Sequence, residues 1–318
     1  MIVAITGGTG FIGGRLVLHH LACGDEVRVL SRLPPGTSGL PDTVVWYCDD
    51  LANPINLLPF VECVDVLYHC AAENNNNSEM VAANVDGTKN LTRAAEGKIG
   101  HWVQLSSVGV YGTHADGKIT EETPIRPVNV YEESKSVAEN IVIEAAARGN
   151  FSYSILRPSK VYGVGMTNNV LFQLMSLINR RVFFFIGKPG ASANYIHVDN
   201  VVDGLVRCGS MPAARGRIYN ISDYRTIEDF VTIISQALHK PAPRLRISES
   251  LARMIARMTV FIPNNPLTEQ RVNAMVKRAI YSTAELEAEL GYQHRICMED
   301  GLRELVEEYK QRHWHIVR

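Results

Sequence analysis

The chain has 318 residues, 46% hydrophobic and 20% charged, with a formal net charge of -1 and a pI of about 6.8. This composition excludes a disordered or fibrous chain and carries no nucleic-acid footprint. The longest apolar runs, such as 182–186, are too short to cross a bilayer, and no leader precedes a first strand that begins at residue 2, so the expectation is a soluble, cytoplasmic protein with no membrane partner.

An apolar run over 2–5 predicts a buried parallel strand, and an amphipathic helix pattern begins after Phe11. Between them stand Gly7, Gly8, Gly10 and Gly13. A strand, a glycine turn and a helix is the context in which a G-x-G-x-x-G spacing means dinucleotide binding, with the pyrophosphate on the helix N-terminus beside Phe11 and Ile12. The run 26–31 alternates as a second strand and ends in Ser31-Arg32, where an NAD-binding turn usually has an acid. A serine removes the repelling carboxylate and an arginine can fork onto a 2′-phosphate, so NADP is expected, with NAD as second choice. A third strand is predicted over 44–48, followed by Asp50 and Leu51, which can meet the adenine; a helix-capping role for an aspartate there is equally open.

A fourth strand over 64–70 leads into Ala71 and Ala72, whose small side chains let a cofactor lie against the backbone. His69 reads as structural. Four asparagines, 74–77, predict a loop, and a helix is expected over 79–96 with Asn84 bonded to nearby backbone. A fifth strand over 101–105 ends in Ser106-Ser107. A long helix over 129–148 carries Tyr131 and Lys135 one turn apart, so a lysine lies beside a phenol; the opposite charge is expected to lower the phenol pKa and make Tyr131 a general acid or base. A sixth strand over 152–156 runs into Arg157-Pro158. Beyond it the pattern changes to a helix over 168–181, a short aromatic strand over 183–186, a loop over 187–194, a strand over 218–221 and then mostly helix, broken at Pro263, Pro266 and Gly291. The cysteines, 6 in all, are scattered with no C-x-x-C pair and read as small buried hydrophobes, with no metal site. The fold class is α/β: a doubly wound parallel sheet of Rossmann type over 1–163, rejoined at about 195–225, with a smaller, mostly helical substrate lobe from 164–194 and 226–318.

These motifs together resemble the extended short-chain dehydrogenase/reductase family, in its NAD(P)-dependent epimerase/dehydratase branch. The match rests on Thr6-Gly-Gly-Thr-Gly-Phe-Ile-Gly13, His69-Cys-Ala-Ala72, Asn84-Val-Asp-Gly-Thr88, Ser107 with Val110-Tyr-Gly112, Tyr131 with Lys135, Arg157-Pro158 with Val161-Tyr-Gly163, and His197-Val-Asp199. It implies that Ser107, rather than Ser106, bonds the reacting oxygen and that Tyr131 exchanges the proton. Lys135 would hold the nicotinamide ribose, and backbone from Pro158 to Val161 would meet the carboxamide. It also implies a homodimer through the helices over 79–96 and 129–148, the second of which offers Val137, Ile141 and Ala145.

The substrate expected from the resemblance is a nucleotide-sugar, oxidised, epimerised or reduced at a sugar carbon. Ser31-Arg32 tilts this toward net 4-keto reduction. The lobe supplies Asn168, Asn169, Lys188, Asn194 and Tyr195, with Arg271 or Arg278 to clamp a diphosphate, although either arginine could be a surface ion-pair partner. A 3-beta-hydroxysteroid or dihydroflavonol-type dehydrogenase is the alternative, and a non-catalytic dinucleotide sensor is the alternative of another class. The presence of Ser107, Tyr131 and Lys135 argues against the sensor.

Overall fold

The computed structural model describes residues 1–112, 116–148, 151–259 and 267–314. The chain opens with β1 (Ile2–Thr6), α1 (Phe11–Ala22), β2 (Glu26–Ser31), β3 (Val45–Cys48), α2 (Leu58–Val61) and β4 (Val64–His69). A helix follows in three parts, α3 (Asn77–Val81), a π-helical turn (Ala82–Asp86) and α4 (Gly87–Ala95), and then come β5 (Ile99–Leu105), β6 (Gly117–Ile119) and α5 (Val130–Ala147). The second half contains β7 (Ser152–Pro158), β8 (Lys160–Tyr162), α6 (Val170–Asn179), β9 (Phe185–Ile186), β10 (Ser192–His197), α7 (Val198–Ser210), β11 (Arg217–Ile221), β12 (Asp223–Thr226) and α8 (Ile227–Ala237). It closes with β13 (Arg246–Ile247), α9 (Glu249–Met258), α10 (Glu269–Val276), β14 (Ala279–Tyr281), α11 (Ala284–Leu290) and α12 (Met298–Trp314).

A seven-stranded sheet runs in the order β11-β7-β5-β4-β1-β2-β3, with every pair parallel. Its apolar runs are long because both faces are covered. On one face Leu16 and Val17 of α1, Val201 and Leu205 of α7 and Leu286 of α11 meet Val3, Val29 and Val103. On the other, Phe60, Leu91, Val142 and Ala145 pack with Leu67 and Trp102. Strand order reverses between β1 and β4. That puts Thr6, Ser31, His69, Leu105 and Pro158 at one edge, the C-terminal ends of the strands, where doubly wound sheets bind ligands. A separate apolar cluster joins α6, α8 and α12 through Phe172, Met175, Phe230, Ile234, Leu302 and Leu305.

Several expectations are corrected. The segment 187–194 is not all loop, since β10 begins at Ser192. Its small and polar residues carry no alternating signal, and its partners, β8 and β12, are remote in sequence. Nor does β10 rejoin the main sheet: it lies between β12 and β8 in a three-stranded sheet, and only β11 returns. The helix over 79–96 is interrupted by the π-helical turn at Asn84, whose amide exchanges hydrogen bonds with the Glu73 backbone at 2.7 and 2.9 Å and donates to Ser134 Oγ at 3.0 Å. Such turns occur where a side chain needs an extra residue to reach its partners. Cys23, Cys48, Cys63 and Cys297 are exposed and only Cys208 is fully buried, because most lie at element ends rather than within core strands. Ala145 faces the sheet, while Val137 is 37% exposed. Pro263 and Pro266 lie outside the described residues.

Candidate active site

The turn after β1 is shaped by the absence of side chains. Gly7 has φ +68°, and a Cβ there would come within 2.7 Å of the Ala71 nitrogen; a Cβ on Gly13 would come within 2.2 Å of the Gly7 carbonyl oxygen. Both positions therefore require glycine. Gly10 caps α1 without a side-chain hydrogen bond, and no acid stands in the first turn. The N–H groups at Phe11, Ile12 and Gly13 are thus left for a ligand, with the positive end of the helix dipole behind them. This bare, acid-free helix start fits a dinucleotide pyrophosphate.

The flanking strand ends carry the residues expected on an adenosine side. Ser31 Oγ accepts from Leu33 N at 3.1 Å, and Arg32 is exposed. Glu73 is held below the usual carboxylate range first by the Asn75 and Asn76 N–H groups and also by the charge of Arg32, so Arg32 and Glu73 lie within electrostatic reach. Asp50 caps no helix; its carboxylate accepts from Ala52 N at 3.0 Å within a turn, and neighbouring Asp49 holds Ile55 and Asn56. Leu51 is buried beneath Gly87. Ala71 is half-buried, its N–H donating to Thr6 Oγ1 at 3.2 Å, and Ala72 is exposed. His69 is structural: its ring bonds Thr6 at 2.7 Å and Thr88 at 3.0 Å, and burial, with the Lys135 charge in support, pulls its pKa down to about 3.

Ser107, Tyr131 and Lys135 meet at the end of β5. A reciprocal cap fixes the start of α5: Asn129 Oδ1 accepts from Glu132 N at 3.0 Å, and Glu132 Oε2 accepts from Val128 N at 2.9 Å. Tyr131 lies beside Ser107, near enough for the serine hydroxyl to act on the phenol, and Ser107 Oγ accepts from Gly109 N at 3.0 Å. Lys135 is buried and donates to the Leu105 carbonyl at 2.6 Å. Burial pulls the Lys135 pKa down to about 8, with Glu139 and Cys70 opposing. The expected lowering of the phenol is not what this geometry gives. Burial pushes Tyr131 up, Ser107 opposes and Glu132 adds to the rise, while the lysine charge is engaged by the strand carbonyl. Pro158, at the end of β7 beside Ile221, and Val161, in β8 beside Ile196, line the next strand ends.

The residues expected to hold substrate each have local partners. Asn168 accepts from Val170 N at 2.8 Å and is exposed, with Asn169, at the start of α6. Tyr195 stacks on Phe230 at 4.7 Å with Lys160 over its ring. Arg271 donates to Gln173 at 2.9 Å. Arg278 donates to the Pro189 and Lys188 carbonyls at 2.9 and 3.1 Å, and Asn194 to the Ala279 carbonyl at 2.8 Å. Sequence reasoning missed Glu139, which accepts from Ser106 and forms a buried ion pair with Arg157 at 2.5 Å. Its signal was available: an acid one turn beyond Lys135 on the buried face of the helix.

The model of the NAD dependent epimerase/dehydratase family matches residues 3–222. The chain belongs to that family. It is accordingly an enzyme of the NAD-dependent short-chain dehydrogenase/reductase type. The 3-beta-hydroxysteroid dehydrogenase of Mycolicibacterium neoaurum is 25% identical, over 96% of this chain and 91% of that protein. The human sterol-4-alpha-carboxylate 3-dehydrogenase, decarboxylating, is also 25% identical, over 96% and 87%. Among solved structures, UDP-glucuronic acid 4-epimerase from Bacillus cereus in complex with NAD superposes with a TM-score of 0.76 at 19% identity, covering 98% of this chain and 99% of that one; this likeness is one of fold. Among the described residues no helix is long and apolar enough to cross a membrane, and no cluster of His, Cys, Asp or Glu could hold a metal ion.

Proposed function

We propose that the enzyme interconverts a secondary alcohol and a ketone on an apolar, sterol-like substrate, with 1–163 holding NAD(P) and 164–194 with 226–318 forming the substrate lobe. The observation that carries the reaction is the placing of Tyr131 beside Ser107, near enough for the serine hydroxyl to act on the phenol, with Lys135 buried one turn behind it. A substrate oxygen bound between Ser107 Oγ and the Tyr131 hydroxyl would accept a bond from the serine and exchange its proton with the phenol. Bound NAD(P) supplies or accepts the hydride. Because burial raises the phenol pKa, Tyr131 keeps its proton near neutral pH, which suits carbonyl reduction. Lys135 would donate to the nicotinamide ribose and offset phenolate charge in the oxidation direction.

The substrate class rests on two supports. Both relatives compared above by sequence are named for steroid or sterol dehydrogenation. Arg271 and Arg278, the expected diphosphate clamps, already donate to Gln173 and to loop carbonyls, so they support a nucleotide-sugar less than the sequence suggested. A nucleotide-sugar remains the second reading because Asn168 and Asn169 are exposed at the start of α6. NADP is the preferred cofactor through Arg32. A homodimer through the α3–α4 helix and α5 is supported by exposed Val81 on α3 and Val137 on α5, and light scattering tests it. The deciding experiment is a thermal shift with a 3-beta-hydroxysteroid, UDP and dTDP in the presence of NADPH, since a ligand of the native state raises the melting temperature. Stabilisation by the steroid alone supports the proposal; stabilisation by a nucleotide alone transfers it to the second reading.

A further inference from the structure

Three successive turns of α5 hold three adjacent residues at the end of β5. Tyr131 lies beside Ser107, Lys135 donates to the Leu105 carbonyl at 2.6 Å, and Glu139 accepts from Ser106 Oγ. The three side chains are spaced one helical turn apart and rise from one face of the helix. The first two carry the proposed chemistry. The third lies behind them and is sealed, with Ser106 3% and Glu139 1% exposed. Glu139 is completed by Arg157, through Nε at 2.9 Å and Nη2 at 2.5 Å. Arg157 directly precedes Pro158 on β7, and its Nη1 donates to the Tyr111 hydroxyl at 2.7 Å, which donates to Asn220 on β11 at 3.0 Å. A single carboxylate thus ties the helix of Tyr131 and Lys135 to the ends of β5 and β7.

We infer that Glu139 is a positioning residue which, with Ser106 and Arg157, fixes the height of α5 along β5 and so places Tyr131 and Lys135. Stability alone does not explain the pair, because buried ion pairs can often be replaced by apolar groups without loss of stability. Its location does: each partner is a neighbour, in sequence or on the helix face, of a residue that meets substrate or cofactor. The groups facing Lys135 are Glu139 and Tyr131 on its own helix and His69 and Cys70 at the end of β4; of these, Glu139 is the first to favour its charged form. The inference rests on the Ser107–Tyr131–Lys135 reading above, and not on the substrate class.

The test is NADH binding, followed by cofactor fluorescence across pH, which needs no substrate. The unmutated enzyme is expected to show a midpoint near the Lys135 value of about 8, and Lys135→Met to lose it. Glu139→Gln/Arg157→Met, which removes both charges of the ion pair together, should fold and lower the midpoint by ~1 pH unit or more, a tenfold change in proton affinity. Ser106→Ala removes one hydroxyl and leaves the ion pair. In the NADH complex it should speed hydrogen exchange over 105–111 and 129–135 by about tenfold. Ser235→Ala, which removes a buried hydroxyl bonded to the Val231 carbonyl, should change neither readout. A wild-type midpoint in the double variant overturns the inference, as does wild-type exchange in Ser106→Ala if the double variant does not fold. A midpoint retained by Lys135→Met overturns the Lys135 assignment and the ladder with it; a wrong substrate class leaves all these readouts untouched.

Discussion

The glycine turn and the end of β5 lie at the same edge of one sheet, yet they are built in opposite ways. The turn is made of backbone: what matters at Gly7 and Gly13 is that no side chain is present, and the contacts that enforce this are with the turn itself and with Ala71. The end of β5 is met by side chains from α5, more than twenty positions away in sequence, each set against one residue of 105–107. The first is a rigid cradle that fits one shape. The second is an adjustable frame, in which the height of a helix decides whether a phenol meets its serine. A change in the turn should act on binding, and a change in the ladder on chemistry.

The largest separation of the two is expected from Tyr131→Phe. It removes the proton donor and leaves the cradle, so turnover should fall by ~10²–10⁴-fold while NADPH binding persists. Steady-state rates beside a binding titration measure this, and comparable losses in both would erase the distinction.

Acid should attack the support under the cradle. His69 is neutral and bonded to Thr6 and Thr88, with its pKa lowered to about 3. The unfolded chain binds the proton first, near pH 6.5, so the stabilisation is present above that pH and is lost as pH falls from 6.5 toward 3. The loss is on the order of 3–5 kcal/mol when complete. Denaturant melts between pH 7 and 4 should show a steeper decline for the unmutated protein than for His69→Gln; parallel declines would remove His69 from the account.

Gly13→Ala should destabilise the fold by ~1–3 kcal/mol through the clash with the Gly7 carbonyl, and weaken NADPH binding with it. Full cofactor affinity in a folded Gly13→Ala protein would show that the turn is less rigid than its contacts imply. The smallest effect is at the rim. Arg32→Ala should cost NADPH about tenfold in affinity and leave NADH nearly unchanged, as for the loss of one charge-assisted bond to a 2′-phosphate. Isothermal titration with both cofactors checks this, and equal losses would return Arg32 to an ordinary surface role.

The sequence by itself determined the fold class, most of the strands of the main sheet, and the family. Each rests on local order: an apolar run, a glycine spacing and a one-turn separation of tyrosine and lysine are visible within a few residues because the backbone geometry they require is itself local. Only the tertiary structure decided what surrounds them. It turned the lysine to a strand carbonyl, raised the phenol by burial, placed β10 in a separate sheet and committed Arg278 to the 188–189 carbonyls. It also joined Glu139 to Ser106 and Arg157. Burial and partner choice depend on residues brought together from distant parts of the chain, and desolvation, which governs the pKa of Tyr131 and Lys135, exists only once those residues have closed around them.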